Sequence, residues 1–162
     1  MVAPKLETPR LVVVGMSHHT AAIEMRERLS VQKEVIPRLL ESLRKEGLSR
    51  ETILLSTCNR VEMYCVPGER GSSERLARWL AEQGGLQTHR VDSHMYRLEE
   101  RDALHHIFRV ASSLDSMVLG EPQILGQVKV AYRIAQEEGA AGPIMHRVMN
   151  QALSVAKRVR TD

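Results

Sequence analysis

The sequence predicts an α+β protein with a small sheet-containing lobe followed by a helical lobe. Two observations lead to this fold class. Up to residue 100, short β-branched and apolar runs alternate with segments of helical periodicity. From residue 102 onward, the apolar spacing changes to the helical repeat of about 3.6 residues and keeps it. We therefore expect an α+β lobe over residues 1–100 and a helical lobe over 101–162, together forming one domain.

The first lobe carries the elements of a split βαβ sheet. Short apolar runs predict strands at 11–16, 52–56, 61–66 and 94–98. Helical spacing predicts helices at 22–29, 30–47 and 74–83. Ser30 is the expected N-cap of the second helix, but Pro37 lies deep inside it, so we expect a kink or a later start. The order β-α-β-β-α-β, with an extra helix after the first strand, is typical of a ferredoxin-like sheet.

The second lobe carries three predicted helices. They begin near Asp102, Pro122 and Pro143, and proline is favourable in the first turn of a helix. Gly139 is the expected end of the second helix. The third meets no stop signal before residue 162, so we expect the sequence to be part of a longer protein.

Composition indicates a globular protein, because 43% of the residues are apolar and 27% are charged. A formal charge of +3 permits contact with nucleic acid without requiring it. The aromatic content of 3% argues against a base-stacking surface. No signal peptide and no membrane-spanning run is visible, so we expect a cytoplasmic protein without membrane contact, whose thiols stay reduced.

Both cysteines lie in one stretch, as Cys58 and Cys65. Their spacing matches no common structural zinc pattern, and a disulfide is not expected in a reducing compartment, so we expect neither. Strand alternation places Val61, Met63 and Cys65 on one face, which favours burial of Cys65. Cys58 lies in a loop two residues before Arg60, and a nearby cation favours the nucleophilic thiolate. Spacing alone leaves two alternatives for Cys58, a reactive thiol and an ordinary strand-end cysteine.

The histidine pair His105-His106 lies on the first helix of the second lobe. Neighbouring helical residues point about 100° apart, so the two cannot both face one site. A hydrogen-bonded or solvent-facing histidine and a catalytic partner are the alternatives for His106.

Polar residues and glycines are dense between residues 112 and 129, where one helix gives way to the next. Helix capping accounts for Glu121 and Pro122, but not for Gln123 and Gln127, an i, i+4 pair on one helix face. Such groups can direct hydrogen bonds to a ligand. No glycine-rich phosphate-binding motif occurs in the sequence, so we expect no nucleotide phosphate site in this chain.

Three segments resemble the glutamyl-tRNA reductase family: VVGMSHHTA at 13–21, STCNRVE at 56–62 and HIFRVASSLDSMVLGEPQILGQVK at 106–129. The resemblance runs from about Leu11 to Thr161 and corresponds to the N-terminal catalytic domain of that family. It implies reduction of glutamyl-tRNA with NADPH to glutamate-1-semialdehyde, the first step of tetrapyrrole (5-aminolevulinate) biosynthesis. A non-catalytic module that binds tRNA or a partner protein is the alternative.

The resemblance also implies partners and domains beyond this chain. The family's NADPH-binding and dimerisation domains would lie outside residues 1–162, so the chain alone is expected to lack reductase activity. The expected partners are glutamyl-tRNA, a second copy in the full-length homodimer and the downstream semialdehyde aminotransferase.

Site residues follow from the resemblance position by position. Cys58 matches the nucleophile that forms a thioester with the glutamyl group. His106 matches the family's important histidine, with general acid/base catalysis and substrate orientation both open. Arg60 suits bidentate capture of the substrate carboxylate. Ser113 stands where the family usually has glycine, which puts the local backbone in question. The residues that match the substrate pocket are Thr57, Asn59, Arg60, Ser116, Glu121, Pro122, Gln123 and Gln127.

Overall fold

The computed structural model describes residues 10–114 and 123–161, and these form a mixed α+β fold. The predicted class is confirmed. The elements in chain order are β1 (Val12–Ser17), α1 (Ile23–Leu29), α2 (Ile36–Lys45), β2 (Ser49–Ser56), β3 (Arg60–Pro67), α3 (Ser73–Gln83), α4 (Thr88–Val91), β4 (Tyr96–Glu99), α5 (Glu100–Ala111), α6 (Gln123–Glu137) and α7 (Pro143–Thr161).

The described strands form a four-stranded sheet in the order β2-β3-β1-β4. All neighbouring strands are antiparallel. Because β3 lies between β1 and β2, the first βαβ unit is split, which confirms the ferredoxin-like arrangement.

Helix α2 begins later than the predicted N-cap at Ser30 implies. It begins at Ile36 with Val35 at the N-cap, so Pro37 falls in its first turn. Of the two expectations for Pro37, a kink or a later start, the later start is confirmed. A proline in the first turn of a helix costs no helix hydrogen bond. Ser30 is not the N-cap of α2. It ends α1 instead, and its N–H donates to the carbonyls of Arg26 and Glu27 at 2.9 and 3.2 Å. The short helix α4 was not predicted.

The buried apolar residues of the sheet and of the helices packed on it form a single hydrophobic cluster. Helices α2, α6 and α7 contact β2, whereas α3 and α5 contact β1 and β4. Strand β3 is buried along its whole length. A polar side chain on β3 therefore needs partners inside the protein.

Glu51 on β2 anchors the start of α7. Its buried carboxylate accepts the N–H groups of Gly142 and Met145 at 2.7 and 2.9 Å. These N–H groups lie at a helix N-terminus, where they have no partner within the helix. The N–H of Thr52 also donates to the Ala140 carbonyl at 2.9 Å. The strand that leads to Cys58 is thus fixed to the N-terminus of α7.

Candidate active site

The turn from Thr57 to Arg60 connects β2 and β3 and carries Cys58. The Thr57 N–H donates to the Arg60 carbonyl at 2.8 Å. The Thr57 hydroxyl oxygen accepts the N–H groups of both Asn59 and Arg60 at 3.1 Å. One side chain therefore closes the turn and leaves Cys58 exposed at its outer side.

Two other segments hold the same turn from outside. The His18 N–H, just beyond β1, donates to the Asn59 carbonyl at 2.8 Å. On α1, Arg26 donates from Nη1 to the Cys58 carbonyl at 2.5 Å and from Nε to the Ala21 carbonyl at 3.2 Å. The turn is thus fixed to β1 and α1 as well as to its own strands.

The two thiols occupy opposite environments. Cys65 is fully buried on β3, and burial raises the pKa of its thiol to about 12, against a smaller opposing effect of the Ser49 and Thr52 hydroxyls. The predicted burial of Cys65 is confirmed, and the raised pKa favours the protonated, unreactive thiol at neutral pH. Cys58 is the exposed thiol.

Arg60, Glu62 and Tyr64 occupy the other face of β3 and are all buried. Glu62 Oε1 accepts the Tyr64 hydroxyl at 2.9 Å. Glu62 Oε2 bonds the Tyr96 hydroxyl and His106 Nε2, and Arg60 Nη1 lies 3.6 Å away. Glu62 therefore joins the Cys58 turn, through Arg60, to β4 and α5.

Electrostatics keep Glu62 ionised. Burial opposes its charge, but the hydrogen bond and charge of His106, with the Arg60 charge and the Tyr96 hydroxyl, outweigh burial and hold its pKa below the usual 4.5. Burial, followed by the Glu62 charge, raises the pKa of Tyr96 well above 10. The Tyr96 hydroxyl thus stays a donor. Because the Glu62 carboxylate only accepts, His106 Nε2 must carry the proton that they share.

Gly15 on β1 makes this cluster possible. It pairs with Glu62 on one side and with Tyr96 on the other. A Cβ at Gly15 would lie 2.2 Å from the Val61 carbonyl oxygen and 3.1 Å from Glu62 Cγ. The missing side chain lets Glu62 and Tyr96 meet across the intervening strand.

A groove of about 520 Å³ lies between α6 and the end of β2. Ser56, next to the Cys58 turn, lines it together with Gln123, Gln127 and Lys33, and Leu54 and Leu55 contribute apolar surface. Gln123 and Gln127 thus share a face, as their spacing predicts. Substrate binding there stays a prediction, and Ser116, Glu121 and Pro122 lie outside the described residues.

The structure brings some predicted residues together and adds others. Thr57, Cys58, Asn59 and Arg60 form one turn, and Arg60 reaches His106 through Glu62. The bond observed for the His106 side chain is to Glu62. Sequence reasoning missed Glu62, although a carboxylate in the middle of a predicted buried strand is a usable signal.

A metal-binding cluster and a membrane-spanning helix are both absent from residues 10–114 and 123–161. No group of three or more His, Cys, Asp or Glu side chains is placed there to hold a metal ion. No helix in these ranges is long and apolar enough to cross a membrane.

A family model described as glutamyl-tRNAGlu reductase, N-terminal domain, matches residues 14–162. The chain belongs to this family. Among similar sequences, the glutamyl-tRNA reductase of Neisseria meningitidis serogroup B is 43% identical over 153 residues, covering 94% of this chain and 36% of the relative. The glutamyl-tRNA reductase of Syntrophotalea carbinolica is 45% identical over 152 residues, covering 93% and 34%.

A solved structure of the family has the same fold. Glutamyl-tRNA reductase from Methanopyrus kandleri superposes with a TM-score of 0.78 at 30% identity, over 93% of this chain and 34% of that one. The family predicted from the three sequence segments is confirmed. The chain spans about a third of the length of the curated glutamyl-tRNA reductases it matches.

Proposed function

We propose that this chain carries out the acyl-transfer half of the glutamyl-tRNA reductase reaction, with Cys58 as the nucleophile. The observation that carries the proposal is the contrast between the two thiols. Cys58 is exposed on a turn fixed by several hydrogen bonds, whereas Cys65 is buried and protonated. The glutamyl-tRNA reductases among its relatives supply the substrate class.

The proposed step is a thiolate attack on the ester of glutamyl-tRNA. Cys58 Sγ forms a bond to the glutamyl carbonyl carbon, and the bond from that carbon to the ribose oxygen breaks. The ribose oxygen leaves with the electron pair and takes up a proton, so free tRNA departs. An ester is already activated, so a thiolate suffices as the nucleophile. Water then hydrolyses the thioester slowly, which releases glutamate and restores the thiol.

We assign the glutamyl group to the space between the turn and the groove on α6. Thr57 and Asn59 shape the turn, and Gln123 and Gln127 present amides to the groove. Ser116, Glu121 and Pro122 complete the proposed pocket from the segment before α6. Arg60 is assigned the side-chain carboxylate of the substrate. Its side chain is 1% exposed and its Nη1 lies 3.6 Å from Glu62 Oε2, so the substrate would share Arg60 with Glu62.

His106 is assigned to the same site. Glu62 engages its Nε2, so we propose Nδ1 as the atom that faces the substrate, either to transfer a proton or to orient the ester. The side chain is 13% exposed, which gives a small molecule limited access to the ring.

Reduction of the thioester to glutamate-1-semialdehyde is assigned to the full-length enzyme. NADPH supplies the hydride there, but the described residues do not fit that cofactor. Their sheet is antiparallel, and no glycine-rich strand-to-helix turn opens onto it. No step proposed for this chain therefore requires NADPH. Homodimer formation, contact with the aminotransferase and a cytoplasmic location belong to the same proposal.

The test is incubation of the chain with glutamyl-tRNA. We expect slow glutamate release and, after acid quenching, a glutamyl adduct on Cys58 by mass spectrometry. Cys58→Ser should abolish both, while Cys65→Ala, checked for folding by circular dichroism, should retain both. Undiminished release by Cys58→Ser would contradict the proposal. If wild type also bound tRNA without forming an adduct, the chain would be a non-catalytic binding module.

A further inference from the structure

We infer that Arg26 is a positioning residue that fixes the nucleophile turn by linking it to α1. The inference rests on the proposed role of Cys58. Arg26 lies 32 positions before Cys58 and belongs to none of the segments that predicted the site.

The guanidinium of Arg26 connects two backbone carbonyls. Nη1 donates to the Cys58 carbonyl at 2.5 Å, and Nε donates to the Ala21 carbonyl at 3.2 Å. The planar guanidinium can hold both acceptors at once because its donors have fixed relative directions. Ala21 just precedes α1, so the link connects the Cys58 turn to the start of that helix.

This link completes the fixation of the peptide group that follows Cys58. The carbonyl of that group is held by Arg26, and its N–H, which belongs to Asn59, donates to the Thr57 hydroxyl. The next peptide group is also held at both ends. Its carbonyl accepts the His18 N–H, and its N–H, which belongs to Arg60, donates to the same hydroxyl. Two consecutive peptide planes are therefore fixed.

The Cα of Cys58 belongs to the first of these planes, so the orientation of the plane directs the side chain that carries Sγ. Among the described residues, Arg26 is the group that holds the carbonyl end of that plane. Without Arg26, the peptide group keeps only the hydrogen bond from the Asn59 N–H to the Thr57 hydroxyl. The peptide group can then rotate, and the thiol moves with it. A displacement of about 1 Å at a reacting atom can lower a rate by roughly 100-fold.

The first measurement uses the free chain without substrate. Amide hydrogen exchange at Asn59 and Arg60 is compared in wild type, Arg26→Gln and Arg26→Lys, with Arg28→Gln on the exposed side of α1 as the matched control. We expect exchange to accelerate by about tenfold in both Arg26 variants and to stay unchanged in the control, because local opening controls exchange. Lysine keeps the charge but cannot reproduce the two-carbonyl link.

The second measurement is the single-turnover rate at which the chain, in excess over glutamyl-tRNA, releases free tRNA and forms the Cys58 adduct. We expect the maximal rate of this acylation step to fall about tenfold or more in both Arg26 variants, while the chain concentration that gives half of that rate stays within about twofold, because the turn is displaced and the binding surface is kept. A merely structural loss would instead lower the active fraction, which titration of Cys58 with a thiol reagent measures.

The outcomes separate the inference from the proposed function. Unchanged exchange in Arg26→Gln would overturn the positioning role. A raised half-saturating chain concentration with an unchanged maximal acylation rate would overturn it too, because Arg26 would then act by binding tRNA. Full activity in Arg26→Lys would show that charge alone suffices, which also overturns the two-carbonyl link. Accelerated exchange in a chain whose wild type releases no glutamate would support the positioning of the turn and refute the proposed function.

Discussion

Glu62 on β3 and His106 on α5 share a hydrogen bond between a fully buried carboxylate and an imidazole nitrogen. The ionised carboxylate fixes both the orientation of the ring and the position of its proton. Arg60, at the end of the nucleophile turn, lies against the same carboxylate oxygen. A change at Glu62 should therefore affect both the stability of the core and the geometry of the site.

Glu62→Gln tests the stabilising part of this relationship. The amide keeps the shape but removes the charge that Arg60 faces in the protein interior. We expect the free energy of unfolding to fall by about 3 kcal/mol, since removing the charge of Glu62 disrupts a buried cluster of ion pairs with His106 and Arg60. Urea denaturation measures it. Glu41→Gln, which breaks the exposed pair with Lys45, is the control and should leave unfolding unchanged within error.

Wild type and Glu62→Gln can also be compared as a function of pH. The pKa of Glu62 is below 4.5 in the folded chain, so its carboxylate stabilises the fold fully above that pH. That contribution is lost as the pH falls below 4.5 and through the lowered pKa. The stability difference between wild type and Glu62→Gln should thus shrink as the pH falls below 4.5 and through the lowered pKa. A difference that does not change with pH would show that Glu62 is not ionised in the folded chain.

Thiol labelling tests the contrast between Cys58 and Cys65. Iodoacetamide at pH 7 should alkylate exposed Cys58 first, while Cys65, buried and with a pKa near 12, should react only when urea unfolds the chain. Peptide mass spectrometry over a time course assigns the sites. Equal labelling of both, or labelling of Cys65 first, would contradict the assignment.

Ser113→Gly tests the departure from the family's usual glycine. Ser113 has a φ of 65°, in the left-handed region where a Cβ is unfavourable. Glycine should raise the free energy of unfolding by about 0.5–1 kcal/mol, because the relieved strain exceeds the added flexibility of the unfolded chain. Thermal and urea unfolding measure it. The neighbouring Ser112→Gly, at a φ of −85°, lacks this strain and should not stabilise the chain.

Local patterns in the sequence predicted much of the site. Alternation along β3 placed Cys65 in the core, and the comparison with the family pointed to an unusual backbone at Ser113. The Glu62 cluster was not predictable in the same way. It requires the register of three strands, which sets Glu62 and Tyr96 on either side of Gly15, and the packing of α5. The contact between Arg26 and Cys58 likewise joins residues that no short pattern connects.

The alternation of β3 also constrains how the chain can change in length. Cys65 lies on one face, and Arg60 and Glu62 lie on the other. Deleting Val61, between the turn and Glu62, would exchange the faces, moving the carboxylate away from His106 and bringing the Cys65 thiol to the charged groups. A substitution at one position alters one contact, but a deletion displaces all of them together. Natural relatives should therefore vary in residue type along this strand while keeping its spacing, so an alignment gap within it would mark a chain whose site has changed.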